Sequence, residues 1–349
     1  MVSETRQSRM GRRGHGLHGV GVGVLLSLVL SACGGTSPNT ITLYNGQHEQ
    51  TTDALVARFE KATGINVKVR SDDEGVLATQ LNAEGSNSPA DVIYTENSPA
   101  LEYLQGKGLL APVTSSTLAH TPSRYNSPQG DWVGVSARVS VLVYNTHLLS
   151  SGQLPTSVMQ LADPRWSGKL ALAPGETDFQ PIVTSVARRY GEAAALRWLQ
   201  ALKSNAGNHI YPDNETVTDQ VNRGQVAIGI INQYYWYRQR AEVGASDMHS
   251  AIAHFAPGDV GYVIDVSGAA VLRSSQHQAA AQKLLAFLVS AQGQHIIAHS
   301  DSFEYPIGSR IRTVQPETPF ADLRPNPISV AALGDGATAI SLLQKAQLL

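Results

Sequence analysis

The chain has 349 residues, of which 42% are hydrophobic and 15% are charged, and its formal net charge is −2. This balance argues against a nucleic-acid-binding protein, which carries clustered basic residues. The length exceeds the ~250–300 residues at which one core stops growing, so two lobes are expected.

The N-terminal segment predicts export. Four arginines between positions 6 and 13 precede an apolar run at 20–30, and LSAC follows at 30–33. The run is about half the ~20 residues that a membrane-spanning helix needs, so residues 1–32 are interpreted as a signal peptide. Its removal leaves a more acidic chain, because the segment carries four arginines and one glutamate.

Cys33 is the only cysteine of the chain, which excludes an internal disulfide. It stands where a bacterial lipoprotein precursor is cut and acylated. We therefore expect Cys33 to carry a lipid anchor at the outer face of the cytoplasmic membrane; an incidental cysteine is the alternative. Residues 33–40 are small and polar and are interpreted as a tether.

After the tether, short β-branched runs alternate with helical patterns. Such alternation predicts an α/β fold with largely parallel sheets. The first part of the chain predicts strands at 41–44, 65–69 and 90–94, and helices at 53–63 and from Pro99 onward.

The second part of the chain continues the alternation. A strand at 139–144 is expected to cross between the lobes. The other predicted elements are strands at 169–173, 226–231 and 261–272, and helices at 182–190, 192–203 and 276–299.

Three predicted strands end in polar or aromatic clusters. These are YNGQH at 44–48, YTEN at 94–97 and QYYWY at 233–237. Ligands of open α/β sheets bind beyond the carboxyl ends of strands, so these segments are expected to converge on one site.

The chemistry of this site depends on Tyr234 and Tyr235. A phenol has a pKa of about 10, so a phenolate ligand forms near neutral pH only when a strong, hard Lewis acid displaces its proton. Ferric iron is such an acid. Glu96 would add a third negative charge and neutral His48 a fourth donor, and the lack of a thiolate argues against zinc or copper(I).

Other interpretations of these residues stay open. Aromatic runs often pack in cores, and tyrosines beside Trp236 can form a cage for an organic cation. Glu96 alone is compatible with a solvated carboxylate. His295 and His299 lie four residues apart on a predicted helix, where a solvated face is the simpler explanation.

Seven segments resemble those of bacterial ferric-iron-binding periplasmic proteins, and the likeness runs from about residue 41 through nearly the whole chain. The segments are YNGQH at 44–48, PADVIYTE at 89–96, LLAP at 109–112, DPRWSGK at 163–169, INQYYWY at 231–237, SGAAVL at 267–272 and EYP at 304–306. The tyrosine and histidine motifs are the specific ones.

The resemblance implies a two-lobed periplasmic-binding-protein fold of type II, with hinge strands and a central ligand cleft. It implies one lobe of 41–138 plus about 262–305 and another of about 139–261 plus 306–349. It assigns ferric iron to His48 and Glu96 from one lobe and to Tyr234 and Tyr235 from the other. The implied function is a monomeric, non-enzymatic binding protein that serves the permease and ATPase of an ABC iron importer.

Members of that family commonly add a small anion held by loop and helix amides. The resemblance assigns this role to Asn97, Arg138, Gly175, Thr177, Asn214 and Asn232. The loop PGETDF at 174–179, however, has carboxylates at Glu176 and Asp178, which would repel phosphate. These two residues are expected to face solvent or to reach the metal. Arg138 either offsets their charge or forms a hinge salt bridge.

Two further functions are the alternatives. One is binding of another solute, such as an organic cation or a phosphonate. The other is an exported metal-dependent hydrolase, but the chain has no GxSxG elbow, no HExxH helix and no phosphate-binding lysine loop.

Overall fold

The computed structural model describes residues 39–308 and 318–349, so the predicted signal peptide, Cys33 and most of the tether lie outside the described residues. The described chain is built on a mixed sheet, and every strand predicted from the sequence is present. The strands are β1 (Thr40–Gly46), β2 (Asn66–Ser71), β3 (Val92–Thr95), β4 (Val133–Asn145), β5 (Leu170–Ala171), β6 (Ile228–Asn232), β7 (Ser250–Ala253), β8 (Ile264–Val271) and β9 (Tyr305–Pro306).

The strand order is β2-β1-β3-β8-β4-β6-β5, and β7 and β9 pair with β4 beside this path. β1 runs parallel to β2 and β3, and β5 runs parallel to β6. Every pairing of β4 or β8 is antiparallel. The prediction of largely parallel sheets is therefore wrong. Strand and helix patterns are local, and they do not encode the direction of a strand that returns from far along the chain.

β4 is the longest strand of the described residues, with 13 residues that are almost all buried. Its residues 133–139 pair with β8, and its residues 140–144 pair with β6. β4 thus joins the β1–β3 part of the sheet to the β5–β6 part. The lobe boundaries drawn from the sequence stay a prediction.

Eleven helices pack around the sheet in the described ranges, and none of them is long and apolar enough to cross a membrane. Helices α2, α4, α7 and α11 were not predicted. The helices are α1 (Glu49–Thr63), α2 (Glu74–Glu84), α3 (Ser98–Gly106), α4 (Ser115–Leu118), α5 (Gln180–Tyr190), α6 (Glu192–Ala206), α7 (Asn214–Asn222), α8 (Gln233–Val243), α9 (Gln278–Leu288), α10 (Ala291–Ala298) and α11 (Ala337–Lys345).

Helix α1 shows how the apolar pattern builds the core. Leu55, Val56 and Phe59 lie on one face and are buried in a cluster with residues of β1, β3 and β8. Each such side chain contributes roughly 1.5–3 kcal/mol by burial. Gly64 ends the helix with a φ of 69°, a conformation that glycine adopts without strain.

The single helix predicted at 276–299 is wrong, because the chain forms α9 and α10 with a break between them. The Ser290 hydroxyl accepts a hydrogen bond from the Gly293 amide and caps α10. A Cβ on Gly293 would lie 2.3 Å from the Phe287 carbonyl oxygen, so the chain turns back closely here. Apolar residues recur at helical spacing on both sides of Ser290, so the sequence pattern predicts one helix where the structure has two.

Candidate metal centre

The candidate site lies where three strands end. His48 follows β1 and immediately precedes α1, and Glu96 follows β3. Because β1 and β3 are parallel neighbours, their carboxyl ends meet at one edge of the sheet. Tyr234 and Tyr235 lie in the first turn of α8, which begins directly after β6.

The YNGQH segment holds His48 in place. The Asn45 side-chain oxygen accepts from the Gln47 amide at 3.2 Å, and the Gln47 side-chain oxygen accepts from the His48 amide at 2.7 Å. A Cβ on Gly46 would lie 2.7 Å from the Cβ of Glu74, so glycine is required for α2 to approach this turn. Local hydrogen bonds and one close approach therefore direct the histidine.

Both tyrosines of α8 point into one polar cluster. Their rings lie with centroids 4.0 Å apart. Tyr234 is fully buried, and its hydroxyl donates to Glu96 Oε1 at 3.0 Å and to Asp178 Oδ2 at 3.3 Å. Burial raises the pKa of Asp178, and among the groups that oppose this rise are the hydroxyls of Tyr235 and Tyr234. The two phenols therefore share a carboxylate as a neighbour.

His48 meets the same cluster through its imidazole. Its Nε2 atom lies 3.5 Å from Glu96 Oε1 and 3.9 Å from Glu304 Oε1. This nitrogen is buried and has no hydrogen-bond partner. Burial lowers the pKa of His48 to about 4, so the imidazole is neutral near pH 7. A neutral imidazole is the form that binds metals.

Arg138 of β4 is fully buried among three carboxylates. Its Nη1 atom lies 2.5 Å from Glu304 Oε1 and 3.4 Å from Glu96 Oε1, and its Nε atom lies 3.6 Å from Asp178 Oδ1. Its Nη2 atom donates to the Glu96 carbonyl oxygen. Arg138 therefore belongs to the site and offsets part of its negative charge.

The carboxylates differ in how firmly they are ionised. Burial raises the pKa of Glu96 and of Asp178, and the charge of Arg138 opposes the rise. Burial acts on Glu304 in the same direction, but Arg138 and then His48 outweigh it, and the pKa of Glu304 lies below its usual range. Glu304 is thus the carboxylate that is most tightly paired with the arginine.

The phenols are poor acids in this environment. Burial raises the pKa of Tyr234 and of Tyr235 well above the ordinary value of 10, and the negative charges of Asp178 and Glu96 raise it further. Both hydroxyls are therefore protonated near neutral pH. A small cation of high charge could take the place of their protons.

The amides assigned to an anion lie close to protein groups. The Asn97 side-chain nitrogen donates to Thr177 Oγ1 at 2.9 Å and to Glu74 Oε1 at 3.1 Å. The Asn214 side-chain nitrogen lies 3.5 Å from Asp178 Oδ2. Asn232 is buried at the end of β6, two residues before Tyr234.

A cavity of about 520 Å³ opens beside the cluster. His48, Glu96, Gly175, Glu176 and Thr177 are among the residues that line it. Burial raises the pKa of Glu176 to about 8. The sequence left open whether Glu176 and Asp178 face solvent or reach the metal. In the structure, Glu176 lines the cavity, whereas Asp178 is buried in the cluster.

Sequence reasoning missed two acidic residues of the site. Glu74 is buried and accepts from the Asn97 amide at 2.7 Å. Glu304 forms a group with His48 and Glu96 in which one ligand atom from each lies within 4.8 Å of the others, within the described ranges. Glu304 belongs to the EYP segment, which the sequence analysis used only as evidence of family resemblance. No sequence motif pointed to Glu74.

The donors around this point are carboxylates, phenols and one imidazole, which suits a hard metal ion. The aromatic-cage alternative fits less well. The guanidinium carbons of Arg138 and Arg238 lie 5.8 Å and 5.4 Å from the Tyr234 ring centre. The protein's own cations thus already lie against that ring.

Comparison of sequences gives a consistent result. The profile of the bacterial extracellular solute-binding protein family matches residues 45–295. The Fe(3+)-binding periplasmic protein of Serratia marcescens is 38% identical over 324 residues, which cover 93% of this chain and 95% of that protein. The major ferric iron-binding protein of Neisseria meningitidis serogroup A is 37% identical over 308 residues, which cover 88% of this chain and 92% of that protein.

Comparison of structures agrees. The fold is similar to that of iron-bound HitA from Pseudomonas aeruginosa, with a TM-score of 0.83 and 41% identity over 88% of this chain and 99% of that one. It is also similar to a Trichodesmium protein in complex with iron and citrate, with a TM-score of 0.79, 27% identity and the same coverage.

Proposed function

Because the chain belongs to the family of bacterial extracellular solute-binding proteins, we propose that it captures ferric iron outside the cytoplasm and delivers it to the permease and ATPase of an ABC importer. Members of this family are transport components, and the chain is not an enzyme. The two-lobed α/β fold expected from the sequence is confirmed.

The convergence of a phenol, a carboxylate and a neutral imidazole carries the proposal. Tyr234 Oη lies 3.0 Å from Glu96 Oε1, and His48 Nε2 lies 3.5 Å from the same oxygen. Ligand atoms at roughly 2.0–2.1 Å from an octahedral cation stand roughly 3 Å apart, so a small ion could bind all three after minor adjustment.

Iron binding would replace protons of the site. Tyr234 and Tyr235 would lose their phenol protons to the medium, and each oxygen would then bind the metal. The imidazole of His48 is already neutral and would bind without releasing a proton. Iron therefore competes with protons for the two phenols.

The ligands come from separate parts of the chain. His48 and Glu96 follow β1 and β3, whereas the tyrosines start α8 after β6. An ion bound by both groups favours the closed arrangement of the lobes, because only that arrangement lets all donors reach it. The importer could then distinguish loaded from empty protein by shape.

The other solutes considered for the site fit it less well. A phosphonate would meet several buried carboxylates, of which Glu96 and Asp178 lie nearest the phenols. An organic cation would find Tyr234 already flanked by arginines. A ferric ion instead needs the negative charge that the site offers.

We further propose that Cys33 carries a lipid anchor after removal of residues 1–32, and that the protein is a monomer. The basic segment, the apolar run and the LSAC sequence support the anchor. Membrane fractions should retain the wild-type protein, and Cys33→Ser should release it to the soluble exported fraction. Release of the wild-type protein as well would contradict the anchor.

The lobe boundaries are part of the same proposal, with lobes of 41–138 plus about 262–305 and about 139–261 plus 306–349. The change of pairing along β4, from β8 to β6 between Val139 and Ser140, supports this division. Small-angle scattering with and without iron tests the implied closure, since the radius of gyration should fall on loading. Scattering should also report the mass of a monomer.

Visible absorption tests the iron site directly. Phenolate bound to ferric iron gives a charge-transfer colour, so wild-type protein mixed with ferric citrate should become coloured. Tyr235→Phe should remove most of the absorption, and Tyr190→Phe, which changes an exposed tyrosine of α5, should leave it unchanged. Colour that persists in a double Tyr234→Phe, Tyr235→Phe variant would contradict the assignment.

A further inference from the structure

We infer that His295 and His299 form a second metal site, which binds a divalent transition-metal ion such as Cu²⁺ through two imidazoles. Both residues belong to the C-terminal end of α10 (Ala291–Ala298): His295 lies in its last turn, and His299 directly follows it. This site goes beyond the proposed function and does not depend on it, because none of the proposed iron ligands takes part.

The helix places the two side chains next to each other. Residues four apart lie on one face of an α-helix. The ring centroids of His295 and His299 are accordingly 4.1 Å apart, with an angle of 39° between the ring planes. Both residues are exposed, so an ion can approach them from solvent. Only small side-chain rotations are needed for one nitrogen of each ring to reach a shared ion.

A backbone contact prepares His299 to bind a metal. Its Nδ1 atom lies 2.8 Å from the carbonyl oxygen of His295. A carbonyl oxygen only accepts hydrogen bonds, so Nδ1 carries the proton, and in the neutral ring Nε2 keeps a free lone pair. Histidines that bind metals almost always donate their other ring N–H in this way, which fixes the ring and its tautomer. The contact therefore supplies the supporting hydrogen bond of a metal ligand before any ion is present.

The opposite face of α10 holds the pair in place. Ile297 and Ala298 are buried. Gln294 is fully buried as well, and its side-chain nitrogen donates to the Val135 carbonyl oxygen of β4 at 2.8 Å. The two imidazoles thus project from a helix that is fixed to the sheet, which favours a site of constant geometry.

The position at the end of the helix also favours a cation. The last carbonyl groups of an α-helix have no partner within it, and they give its C-terminus a partial negative charge. His295 and His299 lie at this end of α10. A divalent ion bound between them would therefore be stabilised by the helix in addition to the two nitrogens.

The ligands determine the class of ion. Among the residues that the structure describes, no further histidine, cysteine or carboxylate completes a group of three with this pair. Two imidazoles suit Cu²⁺, Ni²⁺ and Zn²⁺, whereas Mg²⁺, Ca²⁺ and ferric iron prefer oxygen ligands. Cu²⁺ should bind most tightly, in keeping with the general order of divalent ions. Water would fill the remaining positions, so the ion can exchange.

The test counts Cu²⁺ ions by isothermal titration calorimetry of the metal-free protein near pH 7. The wild type should bind one more Cu²⁺ per chain than a double His295→Ala, His299→Ala variant, and Mg²⁺ should show no such difference. Each single variant should weaken that binding event at least about tenfold, the smallest effect that loss of even an outer-shell partner has. Pulsed electron paramagnetic resonance of the added Cu²⁺ should detect two imidazoles in the wild type and one in either single variant.

Three other histidines provide the controls. His120→Ala changes an exposed histidine after α4 and should leave the extra ion in place. His147→Ala should do the same, although the rings of His147 and His249 lie 5.0 Å apart and form the competing pair. In a His48→Gln background, which alters the iron site, the difference of one Cu²⁺ should persist.

The outcomes are distinct from those of the iron experiments. Equal Cu²⁺ binding by the wild type and the double variant would overturn the inference, and so would loss of the extra ion in His147→Ala or in the His48→Gln background. The colour with ferric citrate should be the same in the double variant as in the wild type. Both replaced side chains are exposed, and circular dichroism checks that the variants are folded.

Discussion

Proton release on iron binding is the quantity that most directly tests the site. Tyr234 and Tyr235 both have a pKa well above 10 in the metal-free protein, because they are buried beside carboxylates. If both tyrosines bind iron as proposed, both lose a proton when iron binds near pH 7. His48, with a pKa of about 4, releases none at that pH. The two phenols together should make affinity rise about a hundredfold per pH unit, since each proton contributes about 1.4 kcal/mol per unit.

The sign follows from linkage: the metal-free form holds more protons than the loaded form, so acid weakens binding and alkali strengthens it. A pH-stat at pH 7 would record the base needed per iron bound when ferric nitrilotriacetate is added. Bound iron is counted after gel filtration.

Single variants provide the decisive difference, because protons from the iron chelate and from other groups cancel. Tyr235→Phe should release about one proton fewer per bound iron than the wild type, and so should Tyr234→Phe. Tyr190→Phe should match the wild type. If either site variant binds iron and releases as many protons as the wild type, that tyrosine does not bind the metal as a phenolate.

Three further predictions concern the metal-free protein. Arg138→Leu should lower the free energy of unfolding in urea by about 3–5 kcal/mol, because buried carboxylates lose their partner. Arg223→Leu, at an exposed ion pair, should change it by less than about 1 kcal/mol. Equal effects of the two variants would refute the buried network. Gly46→Ala should lower the free energy of unfolding by about 1–3 kcal/mol and weaken iron binding, since its Cβ would lie 2.7 Å from the Glu74 Cβ. Gly106→Ala places its Cβ in open space and should be neutral or stabilising. Because burial lowers the pKa of His48 from 6.5 to about 4, stability should fall as the pH drops from about 6.5 to about 4, and His48→Gln should lose less over that range. If the stability of His48→Gln depended on pH as the wild type's does, the prediction for His48 would be wrong.

The sequence predicted those parts of the site that depend on local pattern. Apolar runs located β1, β3 and β6, and the clusters at their ends brought His48, Glu96 and the tyrosine pair to attention. Helix α8 begins at Gln233, directly after β6. Residues that lie next to strand ends can be found in this way because the rule about strand ends is itself local.

Other parts of the site could not be predicted because they depend on distant pairing. Glu304 reaches the site only because β9 pairs with β4, and their hydrogen-bonded register joins residues far apart in the chain. Glu74 opens α2, a helix whose apolar residues are not gathered on one face clearly enough to mark it in the sequence. Arg138 reads as one charge in an apolar strand, so only the family resemblance pointed to it, and its three carboxylate partners come from three other segments.

The continuity of β4 has a mechanical consequence. One backbone carries hydrogen bonds to β8 along its first half and to β6 along its second, so the β1–β3 and β5–β6 parts of the sheet cannot slide apart without breaking a ladder. If the lobes divide there as proposed, a motion that preserves both ladders would twist the strand around Val139 and Ser140, and would move the distant rims of the cleft most and the strand itself least. Amides of β4 should accordingly exchange with deuterium slowly whether the protein is open or shut, while loops at the rims report the change.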